Sequence, residues 1–89
     1  FLLTLKEKKI ASLVYKIIYK LKVKIIKKEI LIKEIKKIIN KIGVSKIDYI
    51  KVLDINNLIV NSRKKKSYKI FVAYYLRSTR LIDNFSATT

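Results

Sequence analysis

Apolar residues recur at helical spacing through the first quarter of the chain. Ile10, Val14, Ile17, Ile18 and Leu21 form one stripe, with Lys8, Lys9, Lys16, Lys20 and Lys22 largely outside it. Spacings of three and four place such residues on one side of a helix, so the pattern predicts an amphipathic helix. Its start is marked by Thr4 with Glu7 three residues on, a capping box in which hydroxyl and carboxylate each take an orphan backbone amide. A second helix is predicted from near Lys28 or Glu29. It carries Ile32, Ile35, Ile39 and Ile42 on one face and stops at Gly43, which can take the left-handed conformation a helix end favours. Glu29 near its positive end and Lys41 near its negative end suit the helix dipole. Residues 22–28 hold no Gly, Pro or Asn, so a single bent helix is the alternative at that boundary.

Beyond Gly43 the period changes to two. Ile47, Tyr49, Lys51 and Leu53 alternate with Asp48, Ile50, Val52 and Asp54, which predicts a strand with both faces partly apolar. Turn residues follow at 54–57, and a short strand is expected at 58–60. Residues 68–76 are dense in Tyr, Phe, Val and Ile, and residues 80–85 follow after a tight connection at Arg77 and Ser78. Helices first and antiparallel strands after predict an α+β domain, two N-terminal helices packed on a small antiparallel sheet of three or four strands. Residues 86–89 read as a frayed tail.

Composition narrows the chemistry. With 89 residues the chain is one domain, able to bury roughly 60–65 % of its unfolded surface, which leaves its stability modest. The absence of Cys and His removes disulfides, thiol chemistry and the usual transition-metal ligands. The longest uncharged run, residues 55–62, is far short of the roughly 18 residues a membrane helix needs, so no membrane partner is expected. The net charge of +16 raises the question of a polyanion. Nineteen of the 22 basic residues are Lys and only Arg63, Arg77 and Arg80 are Arg, whereas recognition of bases and phosphates favours the planar guanidinium. Lys and the 17 Ile share A/T-rich codons, so the charge reads as genome bias on solvated faces, and no specific nucleic acid is expected. The densest patch, residues 63–66, reads as a solvated loop, and Tyr68, Tyr74 and Tyr75 read as core or sheet surface rather than base-stacking rings.

Three blocks carry more information. Near the end stand Val72-Ala73, Leu76 and the run Thr79-Arg80-Leu81-Ile82-Asp83-Asn84. Upstream lie Ile47-Asp48-Tyr49-Ile50-Lys51-Val52-Leu53-Asp54 with Asn57-Leu58, and further back Leu3-Thr4, Glu7, Lys8, Ala11 and Val14-Tyr15. In this order and with this spacing they resemble the C-terminal domain of pantothenate synthetases (pantoate–beta-alanine ligases). The patterns there are L-S-x-E-x-R-x-x-A-x-x-L-Y, I-D-Y-V-x-V-x-D-x-x-x-L and V-A-A-x-x-G-x-T-R-L-I-D-N.

The resemblance implies a lid. In that family an N-terminal nucleotide-binding domain with an H-x-G-H motif holds pantoate and ATP, and the C-terminal domain closes over the site. The whole enzyme is expected to use ATP and Mg²⁺ to make a pantoyl adenylate, which beta-alanine attacks to give pantothenate and AMP, in the cytoplasm. A chain without His and with one Gly holds neither H-x-G-H nor a glycine-rich phosphate loop. It is therefore expected to bind no cofactor alone, to carry no catalytic residue, and to partner the nucleotide-binding domain. The chain has no Met and begins where the family's S-S-R-N junction would end, so it reads as a fragment. The whole of residues 1–89 is expected to be the lid. Arg80 and Asp83 are the candidate domain-interface pair. Arg77 stands where the family pattern has Gly, at a cost of about 1 kcal/mol if that turn needs positive φ. The alternative is a small basic nucleic-acid-binding α+β module.

Overall fold

The structure, a computed structural model, describes residues 3–55 and 66–88. Two helices, α1 (Leu5–Ile26) and α2 (Ile32–Lys41), precede three strands, β1 (Lys46–Asp54), β2 (Ser67–Leu76) and β3 (Thr79–Thr88). The strands pair antiparallel in the order β1-β2-β3. This is the expected α+β arrangement, with three strands among the described residues. The turn and short strand expected at 54–60, and most of the basic patch at 63–66, lie outside them.

Both ends of α1 have a local cause. Thr4 donates its amide to the Glu7 carboxylate at 2.8 Å and accepts the Glu7 amide on its hydroxyl at 3.1 Å, so the capping box is complete. At the other end no glycine is present, yet Lys28 takes φ 60°. Glu29 donates its amide to Lys24 at 2.9 Å and Lys28 donates to Ile25 at 3.1 Å, the paired bonds of a Schellman stop. This separates the helices and overturns the start expected for α2 near Lys28 or Glu29. Residues 28–31 form the connection, so Glu29 lies outside α2 and Glu34 occupies its first turn. The stop at Gly43 holds. Its φ is 117°, a conformation that L side chains rarely adopt, and a Cβ there would come within 2.8 Å of Ile10 Cδ1, which would have to shift.

The apolar stripes meet the sheet on one side. Val14, Ile18 and Ile25 from α1, with Ile35 and Ile39 from α2, are buried against Ile50, Ile70, Val72, Tyr74, Leu76 and Phe85. Fully burying one such side chain is worth about 1.5–3 kcal/mol, and this layer is what holds the domain together. Residues 86–88 belong to it in part. Far from fraying, they continue β3 opposite Ser67, Tyr68 and Lys69, and Ala87 is buried because the alternation of β3 persists to its end.

Strand β1 departs from simple alternation. Ile47 pairs with Tyr74 and Tyr49 with Ala73, so Asp48 is the extra residue of a β-bulge. The bulge resets the phase of the strand. Ile47 and Ile50 consequently both pack on the helix side although three residues apart, and Tyr49, Lys51 and Leu53 point the other way.

Candidate functional site

Cross-strand partners share a face of a sheet, so the register defines the side that the helices leave open. Its rows are Lys46–Tyr75–Arg80, Tyr49–Ala73–Ile82, Lys51–Phe71–Asn84 and Leu53–Lys69–Ser86. Ala73 is fully covered at the centre, with half-buried aromatic rings on three sides and Ile82 exposed on the fourth. Cations stand over the rings: Lys51 Nζ lies 5.1 Å from the Tyr49 centroid, and Lys46 Nζ lies 5.9 Å from that of Tyr75.

Arg80 crosses this face. Its Nε and Nη2 donate to Asp48 Oδ2 at 3.1 and 2.9 Å, and its guanidinium carbon lies 5.9 Å from the Tyr49 ring. The bonds to Asp48 hold the Arg80 pKa above its ordinary value. Both partners remain solvent-accessible, so the pair orients the guanidinium more than it stabilises the fold. The bulge makes the contact. Without the inserted residue, Asp48 would follow the two-residue period and point away from Arg80.

Asp83 is not brought to Arg80. Residues three apart on a strand face opposite ways, and Asp83 pairs with Val72 on the helix side. There partial burial pushes its carboxyl pKa up. Nearby Tyr74 is fully covered, its hydroxyl has no hydrogen-bond partner among the described residues, and burial, with the Asp83 charge added, pushes it up to about 12. Of the two places expected for it, core or sheet surface, Tyr74 takes the core. Tyr75 lies on the open face and half-buried Tyr68 on the helix side.

The β2–β3 turn adjoins the start of α1. Thr4, Glu7, Gly43, Ser45 and Arg77 border a cleft of about 340 Å³ there. Ser45 donates its amide to Tyr75 at 2.9 Å and its hydroxyl accepts the Arg77 amide at 2.9 Å, tying the β2–β3 turn to the start of β1. Arg77 takes φ 58°, the conformation in which its replacement of Gly carries strain. Glu7 sits in this cleft with its pKa lowered, first by the Thr4 amide.

The carboxylates do not assemble into a metal centre. Among the described residues no three His, Cys, Asp or Glu side chains lie close enough to hold an ion. Nor is any helix among them long and apolar enough to cross a membrane.

Sequence reasoning singled out Arg80 but missed Asp48 as its partner, and missed Tyr49 and Phe71 as rings of one surface.

Set in the fold, the three sequence blocks fall on the capped start of α1, on β1 with its bulge (Asn57-Leu58 lie outside the described residues), and on β2–β3. The Asp48–Arg80 pair joins the second block to the third. Neither a curated protein nor a solved structure matches the chain significantly. The family described as Pantoate-beta-alanine ligase matches residues 1–86. The chain belongs to that family of ligases of pantothenate synthesis.

Proposed function

We propose that this chain is the C-terminal closing domain of a pantoate–beta-alanine ligase and that it acts by covering a reacting centre held elsewhere. The observation that carries the reading is the Asp48–Arg80 pair, which links two family blocks on an exposed sheet face instead of in the core. Both bonds end on Asp48 Oδ2, so neither Arg80 Nη1 nor Asp48 Oδ1 is used in the pair. Arg80 and Asp48 then form the contact to the nucleotide-binding domain, while Asp83 stays on the helix-facing side. That domain binds pantoate, ATP and Mg²⁺, and beta-alanine enters the closed site.

The contribution of this chain is exclusion of water. A pantoyl adenylate is lost to hydrolysis unless the cleft is closed before beta-alanine attacks, and a rigid, helix-backed sheet is suited to that task. In this reading the chain works in the cytoplasm with its partner domain, and binds no cofactor alone.

Pyrophosphate release from pantoate, ATP and Mg²⁺ tests the assignment. The chain alone is expected to give no release above a boiled control. Added to a separately prepared nucleotide-binding domain of the family, it is expected to raise pantothenate formation and suppress hydrolysis of the adenylate. Turnover by the isolated chain, or no effect on the partner domain, defeats the reading.

A further inference from the structure

We propose that the helix-free face of the sheet binds single-stranded nucleic acid without sequence preference. This goes beyond the ligase reading and does not depend on it, although both use Arg80 and Asp48, so a strand and the partner domain would exclude one another on this face. Tyr49, Phe71 and Tyr75 surround Ala73, which is fully covered, so their half-exposed rings are what this part of the face presents. Tyr75 and Phe71 are four residues apart on β2, and Tyr49 stands beside the residue midway. The rings are therefore stepped at about 6.7 Å along the sheet. That is wider than the roughly 3.4 Å rise along one strand of a duplex, so only a strand free to unstack its bases can present them to these rings.

The charges complete the surface. Lys46, Lys51, Lys69 and Arg80 share this face with one carboxylate, Asp48, which Arg80 engages. Lys51 and Lys46 reach over the rings on flexible stems, so an entering base displaces an ammonium that moves to a neighbouring phosphate. A second copy docked face to face would oppose like charges. An extended polyanion with exposed π-faces meets both the rings and the cations, and only a single strand offers those π-faces.

The test is fluorescence anisotropy with a labelled mixed-sequence DNA strand of about 15 nucleotides, read at low salt and near 0.15 M. The double variant Tyr49→Leu/Phe71→Leu keeps apolar bulk and removes two stacking rings. It is expected to weaken binding at least about tenfold at both salt concentrations. Replacing Lys16, Lys20, Lys36 and Lys37 by Gln removes four charges from the helical layer, and should weaken binding by less than about threefold near 0.15 M salt. Tyrosine fluorescence of the unaltered chain should be quenched as strand is added, a readout that does not depend on how the variants fold. A duplex of equal length should compete at least about tenfold less well than the strand. Equal losses in both variants, equal competition by the duplex, or no quenching would show attraction of lysines alone and overturn the proposal. Unchanged affinity in the ring variant would do the same, leaving this face for a protein or lipid surface.

Discussion

On the helix-facing side of β2, Ile70, Val72, Tyr74 and Leu76 are all buried, whereas on the opposite side only Ala73 is, and Lys69, Phe71 and Tyr75 are half-covered. One strand supplies both faces by alternation, yet the folded chain uses up only one of them. On the inner face the apolar groups belong to one cluster with residues of α1 and α2. The outer rings have cations and an ion pair for neighbours instead, an arrangement that adds little to stability and keeps polar groups within reach of a partner. The contrast separates what holds the domain together from what it can offer.

Truncating one residue on each face gives the largest expected difference. Ile70→Ala leaves a cavity in a layer with no exposed surface and should cost about 2–5 kcal/mol. For a domain of this size that lowers the thermal midpoint by about 10 °C or more, or abolishes cooperative unfolding. Ile82, 55 % exposed on the outer face, should cost under about 1 kcal/mol when changed to Ala. Similar losses at the two sites, measured by circular dichroism melting, would mean that the outer face is also covered in the folded chain.

The turns that connect the two faces to the rest of the chain come next. Arg77 at φ 58° and Lys28 at φ 60° occupy the left-handed region, which disfavours an L side chain by roughly 1–2 kcal/mol. Glycine relieves that strain but loosens the unfolded chain by about 0.4–1 kcal/mol. Arg77→Gly and Lys28→Gly should therefore each gain about 0.5–1 kcal/mol, a midpoint about 2–8 °C higher. The effects should add, since the sites belong to different connections. A lower midpoint in either variant would show that the lost side chain makes a contact worth more than the strain.

What was legible in the sequence follows the range of the interaction. The capping box at Thr4 and Glu7, the stripe through Val14 and Ile18, and the stop at Gly43 are set by residues within a few positions of one another, and each stands as read. The end of α1 was not legible, because nothing in Lys28 advertises a left-handed residue. Only the paired bonds from Glu29 and Lys28 back to Lys24 and Ile25 reveal it. The strain at Arg77 was legible only through the family pattern, which has Gly there. Asp48 lay beyond reach for a longer-range reason. Its bulge exists because of how β1 pairs with β2, and its partner Arg80 comes from a third strand. Asp83 shows the same limit, since the run that includes Arg80 and Asp83 is continuous in sequence and divided between two faces in space.

The inner face holds one polar tip that its packing does not satisfy. The Tyr74 hydroxyl is buried without a partner among the described residues, so Tyr74→Phe removes a desolvated group while keeping the ring. A gain of about 0.5–1 kcal/mol in urea unfolding is expected, with the denaturant slope unchanged. A loss of that size would show that the hydroxyl has a partner, for example ordered water.

Asp83 provides the smallest effect and the one with a sign set by pH. Burial raises its carboxyl pKa in the folded chain, so the protonated form is the one the fold favours. Its contribution to stability is fully present below the unfolded pKa, near 3.8, and is lost as pH rises through the higher folded value. Asp83→Asn, neutral at every pH, removes that loss. The variant should be more stable than the parent at pH 7, with the advantage shrinking toward pH 3, where both side chains are uncharged. Glu7 changes stability in the opposite sense, because its folded pKa is lowered, and it is common to both proteins, so the difference between them isolates Asp83. Melting curves taken across this range decide the matter. A variant less stable at pH 7 would mean that the charged carboxylate is held by a favourable contact on the helix-facing side.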